Sequence, residues 1–183
     1  MNDFKPTVPP VTDAVRAQAA GQPGGWVYAI DSYFDPAGRI PPFGIVGAWK
    51  IDAQGDVTDE FKHNPNYRPS PQAVGMPSPS DRVDAAVQLA ATGYAPDAEV
   101  RRALLDATVY LAPSVDRQTG ANDPAIRLYT HPSHAPRSAP RLQRVRFRDL
   151  LPQLPNNILL ILNGNSSASA RIPLADIRRT TEQ

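Results

Sequence analysis

His131 and His134, three apart in His131-Pro132-Ser133-His134-Ala135-Pro136, come nearest among the reactive side chains to a metal-ligand spacing. On a helix such a pair shares one face and can hold zinc with further ligands. Pro132 and Pro136 make the segment a loop, and no nearby carboxylate completes a ligand set, so no metal is expected. His63 lies beside the extended Asn64-Pro65, and no serine occupies a Gly-x-Ser-x-Gly elbow. Asp31, Asp35 and Asp52 lack the spacing of a calcium loop, and Asn163-Gly164-Asn165-Ser166-Ser167 lacks the lysine of a phosphate loop. The residues therefore predict neither a catalytic group nor a cofactor.

Binding chemistry is better represented. In residues 64–71 the alternating prolines hold an extended backbone, Tyr67 supplies contact area with a polar tip, and Arg68 can fork onto a carboxylate. The same features suit a rigid crossover with Tyr67 packed inward, so a presented surface and a packed connection both stand. Asp31-Ser32-Tyr33-Phe34-Asp35 follows a predicted strand and can display an acidic-aromatic patch. The plainer reading, which is preferred, places Tyr33 and Phe34 in the core and gives both aspartates to turn hydrogen bonds. Arg141, Arg144, Arg146 and Arg148 form a basic series. On a strand the last three would share one face at about 6.6 Å intervals, a spacing suited to phosphates. No aromatic residue alternates with them on that face, so a solvated face is preferred and nucleic acid is disfavoured. The residues assigned first to partner binding are Trp26, Tyr33, Trp49, Asn66, Tyr67 and Arg68.

The elements that must position these groups are short. Residues 1–22 read as a mobile tail with a short helix over 12–20. Trp26-Val27-Tyr28-Ala29-Ile30 has the composition and length of a buried strand. From 43 to 51, Phe43, Ile45, Gly47, Trp49 and Ile51 share one parity, leaving Gly44, Val46, Ala48 and Lys50 on a nearly bare face. Its two glycines are expected where another backbone or a partner comes close. A turn at Ala53-Gln54-Gly55-Asp56 leads to a second strand over 57–62, forming a hairpin.

Asp81 caps a predicted helix with Val83, Ala86, Val87 and Ala90 on one stripe, closed by Gly93. A second helix opens at Pro96 and buries Val100, Ala103, Leu104 and Ala107. Strands are then predicted over 108–112, 126–130, 144–147, 158–162 and 170–174, with helical turns over 149–154 and 174–179. The order of strands, two helices and strands defines an α+β fold with a mixed, largely antiparallel sheet. A single domain over 23–180 is expected, divisible into lobes 23–79 and 80–180.

At 183 residues the chain can bury a core without crosslinks, and it has no cysteine. Met1 to Pro10 carries Asp3 and three prolines where a signal peptide needs basic and then apolar residues. The longest aliphatic run, residues 158–162, is far below the roughly 20 residues of a spanning helix. These features predict a cytoplasmic protein that does not insert in membranes. With a formal charge of +1, nucleic acid or acidic lipid would have to be met by a local patch. Twenty-one prolines predict stiff connections between the elements.

From Thr108 onward the chain resembles the amino-terminal domain of the SseB family, the enhanced serine sensitivity proteins. The resemblance lies in Thr108-Val109-Tyr110-Leu111, Leu128-Tyr129-Thr130-His131-Pro132, Val145-Arg146-Phe147-Arg148-Asp149-Leu150-Leu151-Pro152 and Leu160-Ile161-Leu162-Asn163-Gly164. That family usually has proline then glycine after the asparagine, where Gly164 and Asn165 stand here. The earlier part is similar to actinobacterial proteins named type VII secretion system-associated. It is so through Trp26-Val27-Tyr28-Ala29-Ile30-Asp31-Ser32-Tyr33-Phe34-Asp35-Pro36, Gly44-Ile45-Val46-Gly47-Ala48-Trp49, Asn64-Pro65-Asn66-Tyr67-Arg68-Pro69 and residues 83–94. The resemblance implies an adaptor or chaperone-like accessory protein that binds a secretion component or substrate. It assigns no catalytic residue. A homodimer through an unpaired sheet edge is left open.

Overall fold

A computed structural model describes residues 7–112, 117–119, 124–139 and 141–181. The fold is α+β, and the chain divides into two compact units, Met1–Gly75 and Met76–Gln183. The boundary lies four residues before the expected lobe junction. The two hydrophobic clusters share no residue.

In the first unit, helix α1 (Asp13–Ala20) precedes strands β1 (Trp26–Ile30), β2 (Ile45–Ile51) and β3 (Val57–His63). Thr12 caps α1 by accepting from the Val15 N–H. Ala19 is fully buried, and Val11 and Val15 pack on the same cluster, so residues 11–20 form part of the core rather than a mobile tail. Glycine at 55 admits this docking: a Cβ there would stand 3.2 Å from the Cα of Ala20, and Gly55 itself turns with φ +90°. The sheet is antiparallel in the order β1-β2-β3, with β1 at one edge.

Parity sorts its two faces from Gly47 to Ile51, while at the register shift opposite Ala29 and Ile30 Val46 also turns into the core. Val27, Ala29, Trp49 and Ile51 are buried, and Phe61 packs against them, with the Trp49 and Phe61 rings 4.9 Å apart. At Gly47 a Cβ would stand 2.5 Å from both the Lys62 carbonyl and the Phe61 ring. This glycine thus admits the chain's own ring and strand, where sequence parity allowed equally for a partner.

In the second unit, α2 (Arg82–Ala91) and α3 (Asp97–Leu105) pack together and precede β4 (Thr108–Leu111), β5 (Arg117–Thr119) and β6 (Pro124–Leu128). β7 (Gln143–Arg146), α4 (Phe147–Leu150), β8 (Leu159–Leu162), β9 (Ala170–Pro173) and α5 (Leu174–Thr181) follow. One sheet runs β5-β6-β8-β9, with β6 and β8 parallel and the other pairs antiparallel. The β4-β7 pair joins it through backbone bonds between Tyr110 and Tyr129. Leu128, Leu160, Leu162, Leu174 and Ile177 are inaccessible to solvent and form the centre of this core with the α2 and α3 stripes. Each such side chain contributes about 1.5–3 kcal/mol on burial, which docks helices too short to persist alone.

Candidate functional site

The six side chains assigned to binding fall in the first unit but do not form one site. Trp49 is core, with 3 % of its surface exposed. Tyr33 is 47 % exposed and meets Phe34 edge-to-face, which corrects its expected place in the core. Tyr67 is partly buried against the core, and its hydroxyl donates to Asp31 Oδ2 at 2.8 Å. Asn66 and Arg68 are exposed; the Arg68 guanidinium lies over Phe43 at 5.6 Å. Trp26 is partly exposed on the outer sheet face, with the Lys50 ammonium over its ring at 5.3 Å.

Asp31 explains why residues 64–71 are strapped down. Its carboxylate is 3 % exposed and accepts from four donors: Tyr33 N–H at 3.0 Å, Ser70 Oγ–H at 2.7 Å, Ser70 N–H at 3.0 Å and the Tyr67 hydroxyl. Asn64 adds two bonds from its amide, to the carbonyls of Pro42 at 2.8 Å and Ile45 at 2.7 Å. Burial alone would raise the Asp31 pKa, but the backbone and side-chain donors from Tyr33, Ser70 and Tyr67 outweigh it and hold the carboxyl below its ordinary value. The proline-rich segment is a packed crossover at Tyr67, Ser70 and Pro71, with Pro65, Asn66 and Arg68 exposed. Asp31 and Asp35 make the turn bonds that sequence favoured, Asp35 accepting from the Ala37 N–H at 2.9 Å.

The more accessible feature is β1, which composition alone marked as a buried strand. Tyr28 is 55 % exposed, and among the described residues no strand pairs with β1 on the side away from β2. The register shows where its backbone points. Ile51 N–H donates to Gly25 O, placing Val27↔Trp49 and Ala29↔Gly47 in the hydrogen-bonded class. On the opposite side of β2, Asn64 N–H reaches Val46 O, so the even-numbered residues of β2 serve β3. The N–H and C=O groups of Trp26, Tyr28 and Ile30 consequently face outward. No described residue accepts from or donates to them.

Beside this edge the outer face holds a trough of about 400 Å³ lined by Trp26, Tyr28, Ala48, Ile45 and Lys62. Ala48 is directly opposite both Tyr28 and Lys62, so a small residue forms the floor between an aromatic wall and a cation. Ala48 and Lys50 keep the outer parity predicted for β2, but Val46, expected on the bare face, is buried in the core and Ile45, expected on the aromatic face, lines the trough, because the register with β1 shifts between Ala29 and Ile30. The missed signal is that β1 is apolar on both parities, so alternation could not separate its core face from its open one.

The second unit contains a polar cluster of different character. Asp81 Oδ1 caps α2 through the N–H groups of Val83 and Asp84, at 2.8 and 3.0 Å, while Oδ2 accepts from Thr130 Oγ1 at 2.7 Å. Burial raises the Asp81 pKa, yet bonds from Thr130, Asp84, Ser80 and Val83 outweigh it and the net shift is downward. Asn163, fully buried with φ +50°, accepts from Thr130 N–H and donates to Thr130 Oγ1, both at 2.9 Å. Ser80 Oγ lies 2.7 Å from His134 Nε2, 3.0 Å from Asp81 Oδ2 and 3.2 Å from Asp84 Oδ2.

A serine beside a histidine and an aspartate invites comparison with a hydrolytic triad, and proton counting separates them. The one hydroxyl proton faces two carboxylates as well as the imidazole. Asp84 Oδ2 approaches the same Nε2 at 3.6 Å, where a triad carboxylate would hold Nδ1. With both carboxylates accepting, Nε2 is best satisfied as a donor, and the group clasps the 3-10 turn Pro132–His134 to the start of α2. Among the described residues no group of three histidine or acidic side chains is arranged to hold a metal ion.

The arginine series is divided. Arg144 and Arg146 lie exposed on β7, but the strand ends there, and Arg148 sits on α4 paired to Asp106 at 2.8 Å. The three do not form the single-faced row that a continuous strand would give. No helix among the described residues is long and apolar enough to cross a membrane. Comparisons with protein-family models, curated proteins and solved structures found no match to this chain.

Proposed function

We propose that this chain is a non-enzymatic accessory protein that binds an extended segment of a partner protein along the open edge of β1. The observation that carries the reading is the outward row of backbone groups at Trp26, Tyr28 and Ile30 on a strand with no charge or proline to protect it. An incoming strand would continue the sheet through main-chain bonds, and one of its side chains would enter the trough over Ala48. Trp26 and Tyr28 wall that trough and supply rigid contact area. The resemblance to type VII secretion system-associated proteins supports an actinobacterial, cytoplasmic setting and a partner among secretion components or substrates. The internal commitments of Asp81, Ser80 and His134 support binding over catalysis.

Tyr28→Pro tests the reading because the native N–H at this position serves no bond within the sheet. Proline is tolerated at such outward edge positions and removes a donor that an incoming strand needs. Peptides selected by display against the wild-type chain are expected to bind Tyr28→Pro at least tenfold more weakly, while Tyr28→Ala, which keeps the backbone donor, loses less. Unchanged tryptophan fluorescence and thermal unfolding serve as the control for folding. Equal affinity of the selected peptides for wild type and Tyr28→Pro would refute the proposal.

A further inference from the structure

Resting on the reading of β1 as a free docking strand, we infer that β1 also pairs with itself, joining two copies of the chain across a two-fold axis at Tyr28 and withholding the edge from the partner until the copies separate. The outward-facing residues are three, evenly spaced and centred on Tyr28. An antiparallel copy of the same strand then sets Tyr28 opposite Tyr28, and Trp26 opposite Ile30 at both ends. All three residues exchange N–H and C=O bonds with the second copy, leaving no outward group of β1 without a partner. The two three-stranded sheets become one of six strands.

Self-pairing makes a demand that foreign pairing does not, because a residue on the axis meets its own kind. A charge there would face an identical charge, and a proline would remove a bond from both copies at once. Tyr28 is neither, and its flanking pair sets an aromatic residue against a β-branched one, a favourable cross-strand combination. β1 contains no charged residue, proline or glycine along its five positions. Of the devices that keep monomeric edge strands apart, charge and proline are absent from β1, and its register shift against β2 falls at one end, between Ala29 and Ile30, leaving Trp26 and Tyr28 in regular pairing. α1 does not occupy this edge: Val11, Val15 and Ala19 pack with Val27 and Ala29 on the core face. An isologous, closed contact follows, so association stops at two.

The absence of cysteine allows the register to be read directly. In the proposed dimer two Tyr28 Cα atoms stand about 5.5 Å apart, within the reach of a disulfide. The two Trp26 positions are separated by four residues along the strand, roughly 14 Å, beyond that reach. Under mild oxidation Tyr28→Cys is expected to form a covalent dimer, and Trp26→Cys alone to form no crosslink to itself. A mixture of Trp26→Cys and Ile30→Cys is expected to crosslink between the two variants.

Sedimentation of the uncrosslinked wild type should show a mass that doubles with concentration, and Tyr28→Pro should stay monomeric. A peptide selected for the edge should return wild type to one chain per complex. A wild type that remains monomeric to its solubility limit, a Tyr28→Pro that dimerises equally, or a Trp26→Cys that crosslinks to itself would each overturn self-pairing. Peptide binding lost in Tyr28→Pro while wild type is monomeric would retain the docking function and remove only the dimer. A dimer with this crosslink pattern, but with no peptide sensitive to Tyr28→Pro, would do the reverse.

Discussion

At the scale of single residues, Asp31 shows how a buried charge can be retained when every approach to it is a donor. Asp31→Asn keeps the shape but turns one acceptor into a donor facing other donors. It is expected to destabilise the first unit by about 1–3 kcal/mol, read from the tryptophan-monitored urea midpoint. The pH dependence has a definite sign. The folded-state pKa lies below the ordinary value, so the stabilisation is complete above about pH 4 and is lost as pH falls through the lower folded pKa. Wild-type stability should therefore decline steeply below pH 4, and Asp31→Asn should flatten that decline. An identical acid limb in both proteins would refute the assignment. Asp31 and its turn bond to Tyr33 were legible in the sequence, but its bonds to Tyr67 and Ser70 were not, because those partners lie 36 and 39 positions away.

At the scale of elements, β2 illustrates what a parity pattern can and cannot say. The alternation correctly separated Trp49 and Ile51 from Ala48 and Lys50, and the glycine at 47 signalled a close approach. Only the register with β3 identifies what approaches: the Phe61 ring and the Lys62 carbonyl. A backbone oxygen in a sheet cannot move aside as a side chain can. Gly47→Ala is thus expected to destabilise by about 1–3 kcal/mol through overpacking, with the urea slope unchanged. A midpoint equal to wild type would show that the strand relaxes more freely than its neighbours suggest. β7 carries the opposite lesson, since Arg148 shares the parity of Arg144 and Arg146 in the sequence yet leaves the strand when α4 begins at Phe147. Phe147 is fully buried, and its burial is consistent with turning the chain there.

Across the whole molecule, two cores without a shared residue imply two unfolding events that can be perturbed separately. Both tryptophans lie in the first unit, so indole fluorescence reports on it, whereas far-ultraviolet dichroism includes the helices of the second. Leu160→Ala removes a fully buried side chain from the second core and should cost about 2–5 kcal/mol. The expected result is a lower dichroism midpoint with an unchanged fluorescence midpoint. Equal shifts in the two signals would mean that the units unfold as one.

Local chemistry determined the α+β order, the helix cap at Asp81, the left-handed Gly93 and the outward parity of Ala48 and Lys50 on β2, because each depends on residues a few positions apart. Tertiary structure decided which strand stands at the sheet's edge, which aromatic rings are held inside, and that residues 64–71 are strapped to Asp31. Those outcomes depend on pairing between distant segments. An apolar strand such as β1 reads the same in either setting: hydrophobicity reports the preference to leave water, while only the register reveals which backbone groups still face it.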